Sequence, residues 1–427
     1  MRAAAAGLLA ARLLALSLCG GAALADSPAA AALRQWLEVF DSGDRARIES
    51  FDATYMQWMA PERAMELRAR TGGYQLVSIE KSGDLWIMFR AREKATAKEV
   101  LGRLVLRPGE PGVIAHLSLD ELSLAAKVQE TVSAAERDRV LEGAARALEQ
   151  SYVFADAAKK MSAALLRARK RDTYAAITDG QIFAWRVSGD LWSIAHDGHL
   201  SLRYSAGVVP PGEPPRPGDD PGERERLLAA NCGFEKAEHL PPNIGYLKFD
   251  EFDPPEICGP TAAAAMTFVA DSDALILDLR DNHGGMGAMV TLIASYLFEA
   301  PTHLNDAYSR EDNSTRQFWT AAYVPGKRFL GKPLYVLTSR ATFSAAEDLS
   351  YALKNLKRAT LIGETTGGGA HPIGPRRLDD HFLLIVPIAR SISPITKTDW
   401  EGTGVEPDVK VPADEALTEA LRRARGN

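Results

Sequence analysis

The stretch TSRATFSAAE, residues 338–347, stands between an apolar run and a segment of helical periodicity in the second half of the chain. The apolar run Leu334–Thr338 that leads into it is typical of a buried strand, and helical periodicity begins at Ala345. Ser344 therefore lies where a strand passes into a helix, a place where backbone N–H groups and the positive helix end stabilise an alkoxide or an oxyanion. The simpler explanation is a capping box between Ser344 and Glu347, which needs no chemistry.

The same alternation of strand and helix surrounds this stretch and extends over residues 241–418. Apolar runs predict strands at 244–249, 274–279, 334–338, 359–362 and 382–387. Helices are predicted between them at 261–270, 286–298 and 345–357. Strands and helices that alternate in this way predict an α/β layered domain.

A pair of adjacent glycines follows another of these strands, in DLRDNHGGMG, residues 278–287. Gly284 and Gly285 allow the backbone to turn sharply and to present its N–H groups, as an oxyanion hole requires. The alternative is a tight turn from strand to helix with no chemical role. A dinucleotide site is excluded because the segment has no Gly-x-Gly-x-x-Gly pattern.

Two further segments supply candidate partners for a serine nucleophile. His199 closes the segment HDGH and is a candidate general base, with His196 and His371 as alternatives. Glu401, in WEGTGVEPD, is a candidate third member that orients the base. A surface histidine and an exposed turn carboxylate remain the simpler explanations. A metal site is disfavoured, because no cysteine or Glu-x-x-His pattern accompanies the histidines.

The first half of the chain divides into two regions. From 28 to 122, a helix that ends at FDSGD, residues 40–44, precedes four predicted strands, which predicts a small α+β accessory domain. From 125 to 200 the pattern is helical, and its basic group at 167–171 is interpreted as the solvated end of a helix. A Pro-rich loop, assigned to 201–240, connects this helical part to the α/β domain.

Composition limits the functions that such a chain performs. It has 427 residues, 46% of them hydrophobic, which fits two or more globular domains and excludes wholesale disorder. Lys and Arg total 50 against 56 Asp and Glu, and the resulting net charge of −6 argues against nucleic acid as a partner. Three cysteines are too few for a disulfide scaffold.

The N-terminus predicts export. Residues 1–25 have the arginine, the Ala/Leu-rich stretch and the Ala-Leu-Ala cleavage pattern of a secretory signal peptide. We therefore expect a periplasmic or secreted protein of the bacterial envelope, with no membrane span after cleavage. A retained membrane anchor is the alternative, while a lipoprotein through Cys19 is disfavoured by the bulky Leu18. In an oxidising compartment, Cys232 and Cys258 form either a bridge or two buried thiols, and the sequence favours neither.

Together the four segments resemble the tail-specific (C-terminal processing) serine protease family, most closely its retinoid-binding-protein-like and tricorn-core-like branch. The resemblance covers about residues 140–417. It implies a crotonase-like (ClpP/crotonase-type) α/β core, serine peptidase chemistry on a peptide or protein substrate, and no metal or organic cofactor. In such proteins the serine of the first segment, here Ser344, is the nucleophile. The Gly-Gly turn supplies one oxyanion amide, from Gly284 or Gly285, and Ala345 supplies another.

The sequence departs from the better-known processing proteases in two respects. They use a Ser–Lys dyad, but Gly369 stands 25 residues past Ser344, where the lysine is expected. They also carry a peptide-binding domain, for which this chain has no room. The tricorn-like branch uses His and Glu instead, which His199 and Glu401 match, although Gly198 stands where that branch has a serine. The resemblance therefore implies a Ser-His-Glu triad rather than a dyad.

Residues 28–122 bear a weaker resemblance, to the cone-shaped nuclear-transport-factor-like domains often fused to secreted hydrolases. We therefore predict an exported serine peptidase that forms an acyl-enzyme through Ser344. Two alternatives remain: a non-catalytic binder of apolar ligands, as in the retinoid-binding relatives, and an esterase with the same triad. The oligomeric state is not predicted.

Overall fold

The computed structural model describes residues 27–56, 61–121, 131–212 and 221–426. The predicted signal peptide lies outside these ranges, as does the segment 213–220 of the predicted Pro-rich loop. Within the described ranges, no helix combines the length and the apolar character that crossing a bilayer requires.

The N-terminal region packs three helices against an antiparallel four-stranded sheet. The helices are α1 (Pro28–Ser42), α2 (Arg45–Tyr55) and α3 (Pro61–Thr71). The strands, which lie in chain order across the sheet, are β1 (Tyr74–Ser82), β2 (Trp86–Glu93), β3 (Glu99–Leu106) and β4 (Ile114–Glu121). The sequence predicts the first helix and the four strands, whereas the structure has three helices before the sheet.

Helix α1 ends where the FDSGD segment predicts. Gly43 takes a φ of +65°, a value that suits glycine, and donates its N–H to Phe40 O at 3.3 Å. The rings of Trp36, Phe40 and Tyr74 stack between α1 and the sheet, with centroids 5.2 to 6.0 Å apart. Helices α2 and α3 are not predicted, because their segments carry few apolar residues at helical spacing.

The middle region consists of three helices, α4 (Ala134–Ser151), α5 (Ala155–Lys170) and α6 (Gly180–Ala195). They share one hydrophobic core with residues of the N-terminal sheet, namely Trp86, Met88 and Val105. Helix α6 then leads through a short loop, which carries His199, into β5 (Ser201–Tyr204).

The remaining elements form the C-terminal region. They are α7 (Pro221–Ala229), β6 (Phe234–Leu240), β7 (Ile244–Phe249), α8 (Pro255–Phe268), β8 (Ala274–Asp278), α9 (Gly287–Ser295), β9 (His303–Ser309), β10 (Ser314–Trp319), β11 (Leu334–Thr338), α10 (Ala345–Asn355), β12 (Thr360–Gly363), β13 (Ile373–Arg377), β14 (Phe382–Pro387), β15 (Ala389–Ile392), β16 (Val409–Lys410) and α11 (Ala416–Ala424).

A six-stranded sheet in the order β16-β12-β11-β8-β7-β6 forms the centre of this region. Its neighbouring strands are parallel except for β6 and β7. Helices α8, α9 and α10 cover one face and α11 covers the other, which is why all five residues of β8 are buried. The protein therefore has mixed α/β content, with the layering that the alternating pattern predicts.

One predicted strand belongs to a different sheet. Strand β14 has the predicted bounds, but it lies in a three-stranded antiparallel sheet between β13 and β5 instead of the six-stranded sheet. Its buried face, with Phe382 and Leu384, joins the core of the middle helices. Because β5 follows α6, this pairing carries the loop of His199 onto the C-terminal region.

The two cysteines that remain after the predicted signal peptide form a bridge. Cys232 and Cys258 are joined at a Sγ–Sγ distance of 2.01 Å, with Cα atoms 5.6 Å apart. The bond ties the turn after α7 to helix α8. Of the two alternatives left open by the sequence, the structure has the disulfide.

Candidate active site

The loops that follow β8 and β11 meet at the carboxyl edge of the central sheet. These strands are parallel neighbours, so their C-terminal ends lie side by side. Phe343 N–H donates to Asn282 O at 3.0 Å, and Thr342 Oγ1 donates to Leu279 O at 2.7 Å. The glycine-pair loop is thereby held against the Ser344 loop, at the edge where parallel α/β sheets place their sites.

Ser344 occupies a strained position at the entry to α10. Its φ of +54° and ψ of −116° fall outside the regions that L-residues normally adopt, at a cost of about 1–3 kcal/mol. Gly284 lies directly against it: a Cβ on Gly284 would stand 2.7 Å from Ser344 Cβ and 2.9 Å from Phe343 O. A strained nucleophile position that the surrounding structure maintains is a common feature of active sites.

Glu347 holds this junction from inside the protein. Its fully buried carboxylate accepts the N–H of Ser344 at 2.8 Å, as the capping-box explanation predicts. It also accepts the N–H of Gly368 at 2.7 Å, the N–H of Gly369 at 2.8 Å and the hydroxyl of Thr366. Burial raises the pKa of Glu347, and these hydrogen bonds oppose that effect. The sequence predicts the cap but not the link to the glycine-rich loop, residues 364–372, which connects β12 to β13.

His199 faces the serine. Its Nε2 lies 3.0 Å from Ser344 Oγ, and its ring packs on that of Phe343 with centroids 4.8 Å apart. Asp197 Oδ1 accepts the backbone N–H of His199 at 3.1 Å. Burial lowers the pKa of His199 to about 4, an effect that the charge of Asp197 opposes. The imidazole is therefore neutral at pH 7 and able to accept a proton at Nε2 when Nδ1 carries the hydrogen.

Glu401 lies near His199 and Asp197 but forms no hydrogen bond with His199 in the structure. Its Oε2 accepts the N–H of Ala370 at 2.6 Å, while its Oε1 is buried without a hydrogen-bond partner in the described chain. His199 Nδ1 is likewise buried and unpartnered there. A ring nitrogen of His199 and a carboxylate oxygen each of Glu401 and Asp197 lie within 4.8 Å of one another. Burial and the charge of Asp197 raise the pKa of Glu401 to about 7.

The three amides predicted for the oxyanion differ in their engagement. Gly284 donates its N–H to Asn282 Oδ1 at 2.9 Å, so this amide is occupied. Within the described ranges, no hydrogen bond uses the N–H of Gly285 or of Ala345, the latter being the first residue of α10. Asn282, whose Nδ2 donates to Phe249 O at 2.9 Å, is a site residue that sequence reasoning missed. The feature of the sequence that could have indicated Asn282 is its position two residues before the glycine pair.

A buried polar network behind His199 was also missed. Asp197 is 1% exposed, and its Oδ2 accepts the Tyr152 hydroxyl at 3.1 Å and lies 2.7 Å from His371 Nδ1. Asp197 stands in the HDGH segment, which was the available signal. Of the two alternative bases, His371 contacts this aspartate rather than the serine, and His196 is exposed at the end of α6 against Trp192.

The cluster of Asp197, His199 and Glu401 also has the donor types of a transition-metal site. Both oxygens of Asp197 already accept hydrogen bonds from protein groups, as does one oxygen of Glu401. His199 Nδ1 and Glu401 Oε1 have no hydrogen bond within the described residues. The expectation of a site without metal or organic cofactor stays a prediction.

Comparison with known proteins finds a family model that matches part of the chain. Residues 243–411 match the model of Peptidase family S41, a family of serine hydrolases. Carboxyl-terminal-processing peptidase 2, chloroplastic, of Arabidopsis thaliana is 31% identical over 173 residues, covering 40% of this chain and 32% of the relative. The carboxyl-terminal-processing protease of Synechocystis sp. is 29% identical over 167 residues, with 39% and 37% covered. The chain thus spans about a third of the length of these curated relatives.

Two solved peptidase structures align with parts of this chain. The photosystem II D1 C-terminal processing protease covers 69% of this chain and 97% of its own, at 18% identity and a TM-score of 0.44. The tricorn protease covers 83% of this chain and 47% of its own, at 14% identity and a TM-score of 0.44. The family match and the curated relatives confirm the predicted resemblance to the processing peptidases.

Proposed function

We propose that the S41-like segment and the middle helices work together as a serine peptidase, in which Ser344 is the nucleophile and His199 is the general base. The observation that carries this proposal is the 3.0 Å contact between His199 Nε2 and Ser344 Oγ at the strand-to-helix junction. At that distance a proton passes directly from the hydroxyl to the imidazole.

The electrostatics of His199 suit this role. Because burial lowers its pKa to about 4, the imidazole is neutral at physiological pH and accepts the Ser344 proton as Oγ attacks the substrate carbonyl carbon. The imidazolium then gives this proton to the leaving amine, and the C–N bond breaks. Water, deprotonated by the same imidazole, hydrolyses the acyl-enzyme and restores the Ser344 hydroxyl.

Glu401 is proposed to orient His199 and to stabilise the imidazolium. Two buried atoms support this role, since His199 Nδ1 and Glu401 Oε1 both lack a partner within the described residues. A buried polar atom without a partner costs about 1–3 kcal/mol, so a side-chain rotation that brings these two atoms together satisfies both. The resulting bond selects the tautomer in which Nε2 is free to accept the serine proton.

The N–H groups of Gly285 and Ala345 are proposed to bind the oxyanion. Both are unengaged within the described ranges, and Ala345 opens α10, whose N-terminal end carries partial positive charge. Gly284 has a different proposed role: its lack of a side chain lets the glycine-pair loop approach Ser344 closely.

We also propose the domain organisation that the sequence predicts. It includes a crotonase-like core over 241–418, a helical subdomain over 125–200 and a cone-shaped accessory domain over 28–122. Export to the periplasm or the medium is proposed from the signal-peptide pattern of residues 1–25. The Cys232–Cys258 disulfide supports it, because such bonds persist in oxidising compartments.

The proposed substrate is a peptide or a protein, as for the carboxyl-terminal-processing relatives named above. The test is labelling of the full chain by a fluorophosphonate probe, run beside hydrolysis of paired amide and ester substrates. Ser344→Ala is expected to lose labelling and amide hydrolysis while it stays folded. The matched control is Ser350→Ala, since among the described residues the Ser350 hydroxyl bonds just the Ala346 carbonyl of its own helix. This variant is expected to keep both labelling and hydrolysis.

Several results would overturn the proposal. Undiminished hydrolysis by a folded Ser344→Ala variant would show that Ser344 is not the nucleophile. Hydrolysis of esters without amides by the unmodified chain identifies an esterase instead. Tight binding of a fluorescent retinoid with neither labelling nor hydrolysis identifies a binder of apolar ligands.

A further inference from the structure

A second histidine, His371, lies beside the site and takes part in none of the steps above. Its side chain is 2% exposed, and Nδ1 lies 2.7 Å from Asp197 Oδ2 and 3.4 Å from Glu401 Oε2. Its other ring nitrogen, Nε2, is buried and has no hydrogen-bond partner in the described part of the chain. The polar contacts of His371 therefore run through Nδ1 to two carboxylates.

These two carboxylates need a neighbouring positive charge. The side chains of Asp197 and Glu401 are 1% and 16% exposed, and donor oxygens of the two lie within 4.8 Å of each other. Buried carboxylates at this separation repel each other, which favours protonation of one of them. Among the described residues, no lysine or arginine forms an ion pair with either, and His371 is the basic side chain in contact with both.

The other groups that face His371 are acidic, neutral or aromatic. Asp399 adds a negative charge, and Tyr152 donates its hydroxyl to Asp197. The ring of Phe154 packs edge-on against the imidazole, with centroids 5.4 Å apart. None of these groups supplies a positive charge in place of His371.

The surroundings act on the two histidines of the site in opposite directions. Burial lowers the pKa of His371, but the hydrogen bond to Asp197 and the charges of Asp197, Glu401 and Asp399 outweigh it and hold that pKa above its usual value. At His199 burial dominates, and the neighbouring His371 lowers the pKa further, to about 4. One imidazole is thus suited to carry a charge and the other to accept a proton, a division of roles typical of active sites.

We propose that His371 is a positioning residue, whose imidazolium is the counter-charge that keeps Glu401 ionised and thereby holds His199 in place. With Asp197 and Glu401 ionised, the three groups carry a net charge of −1. When His199 takes the proton of Ser344, the summed charge of His199, His371, Asp197 and Glu401 becomes zero. This inference rests on the proposed function, because it assigns His371 a part in the work of Glu401.

The test replaces His371 by Asn in the full chain, since the Asn amide keeps a donor for Asp197 but carries no charge. At pH 7 we expect kcat for a peptide to fall about tenfold and KM to change less than about twofold. The pH midpoint at which the activity rises on the acid side of the profile increases by about one unit, because Glu401 then ionises at higher pH. At alkaline pH the two rates converge, because Glu401 is then ionised in both proteins.

His239→Asn is the matched control, since His239 is exposed on β6 and outside the cluster; its pH profile is expected to equal that of the unmodified enzyme. A folded His371→Asn variant with unchanged kcat and pH limbs overturns the proposal while Ser344 keeps its role. Absence of fluorophosphonate labelling in the unmodified chain overturns the proposed function instead.

Histidine nitrogen NMR on the unmodified chain tests the charge without relying on that variant. At pH 7 we expect the resonances of a protonated His371 and a neutral His199, the latter assigned through a His199→Gln variant. A neutral His371 at pH 7 overturns the proposal even where the His371→Asn variant does not fold.

Discussion

The carboxylate of Glu347 accepts the backbone N–H of Ser344 at 2.8 Å, and the same oxygen accepts the N–H of Gly369 at the same distance. A residue that the sequence explains as a helix cap is therefore also the anchor of the glycine-rich loop. The loop also carries His371, so one buried side chain connects Ser344 to the network of Asp197 and His371.

We expect Glu347→Gln to destabilise the protein and to reduce its activity. Each carboxylate oxygen accepts two hydrogen bonds, and the amide nitrogen of Gln would face two donors, which costs about 1–3 kcal/mol for each bond lost. Chemical denaturation measures the change in the free energy of unfolding. Glu238→Gln, on the exposed strand β6, is the control and should leave both stability and activity unchanged.

The activity should rise with pH through the ionisation of Glu401 rather than that of His199. The pKa of His199 is about 4, so the imidazole is already neutral at pH 5. The pKa of Glu401 is about 7, and its carboxylate supports His199 only when ionised, so kcat/KM should increase with a midpoint near pH 7. Glu401→Gln should lower the rate by about a hundredfold or more and abolish this limb. A midpoint near 4 in the unmodified enzyme would contradict the assignment.

The disulfide should contribute measurably to stability. Cys232 and Cys258 are 26 residues apart, and a bridge closing a loop of this size stabilises a protein by about 2–4 kcal/mol. The double variant Cys232→Ser/Cys258→Ser should unfold at correspondingly lower denaturant concentration. Mass spectrometry after alkylation, with and without reductant, checks the bond directly: two alkyl groups should add only after reduction.

Strand positions were predictable from the sequence where burial makes a strand apolar throughout. The predicted bounds of β7, β11 and β14 coincide with those in the structure, since each is a mainly apolar run. The sheet to which β14 belongs was not predictable, because an apolar run indicates burial but not the neighbouring strand. That neighbour, β5, lies about 180 residues earlier in the chain.

The same limit applies to the site. Ser344 and Glu401 stand in local sequence motifs, from which their roles were predicted. The network of Tyr152, Asp197 and His371 has no such motif, because its members come from three separate segments. They meet only through the pairing of β5 with β14 and the docking of α4 on that sheet, contacts that periodicity does not encode.

The close approach of the glycine-pair loop to Ser344 makes Gly284 intolerant of a side chain. At a φ of +106°, a Cβ would stand 2.7 Å from Ser344 Cβ and 3.0 Å from Ala345 N, so either the loop or Ser344 must move. We expect Gly284→Ala to reduce kcat/KM by about a hundredfold, because a shift of about 1 Å in catalytic geometry has that effect. Gly287→Ala is a matched control three residues away. Gly287 is the first residue of helix α9, and a Cβ there meets no atom within 4 Å, so this variant should keep its activity. Equal activity in the two variants would show that this contact does not position the serine.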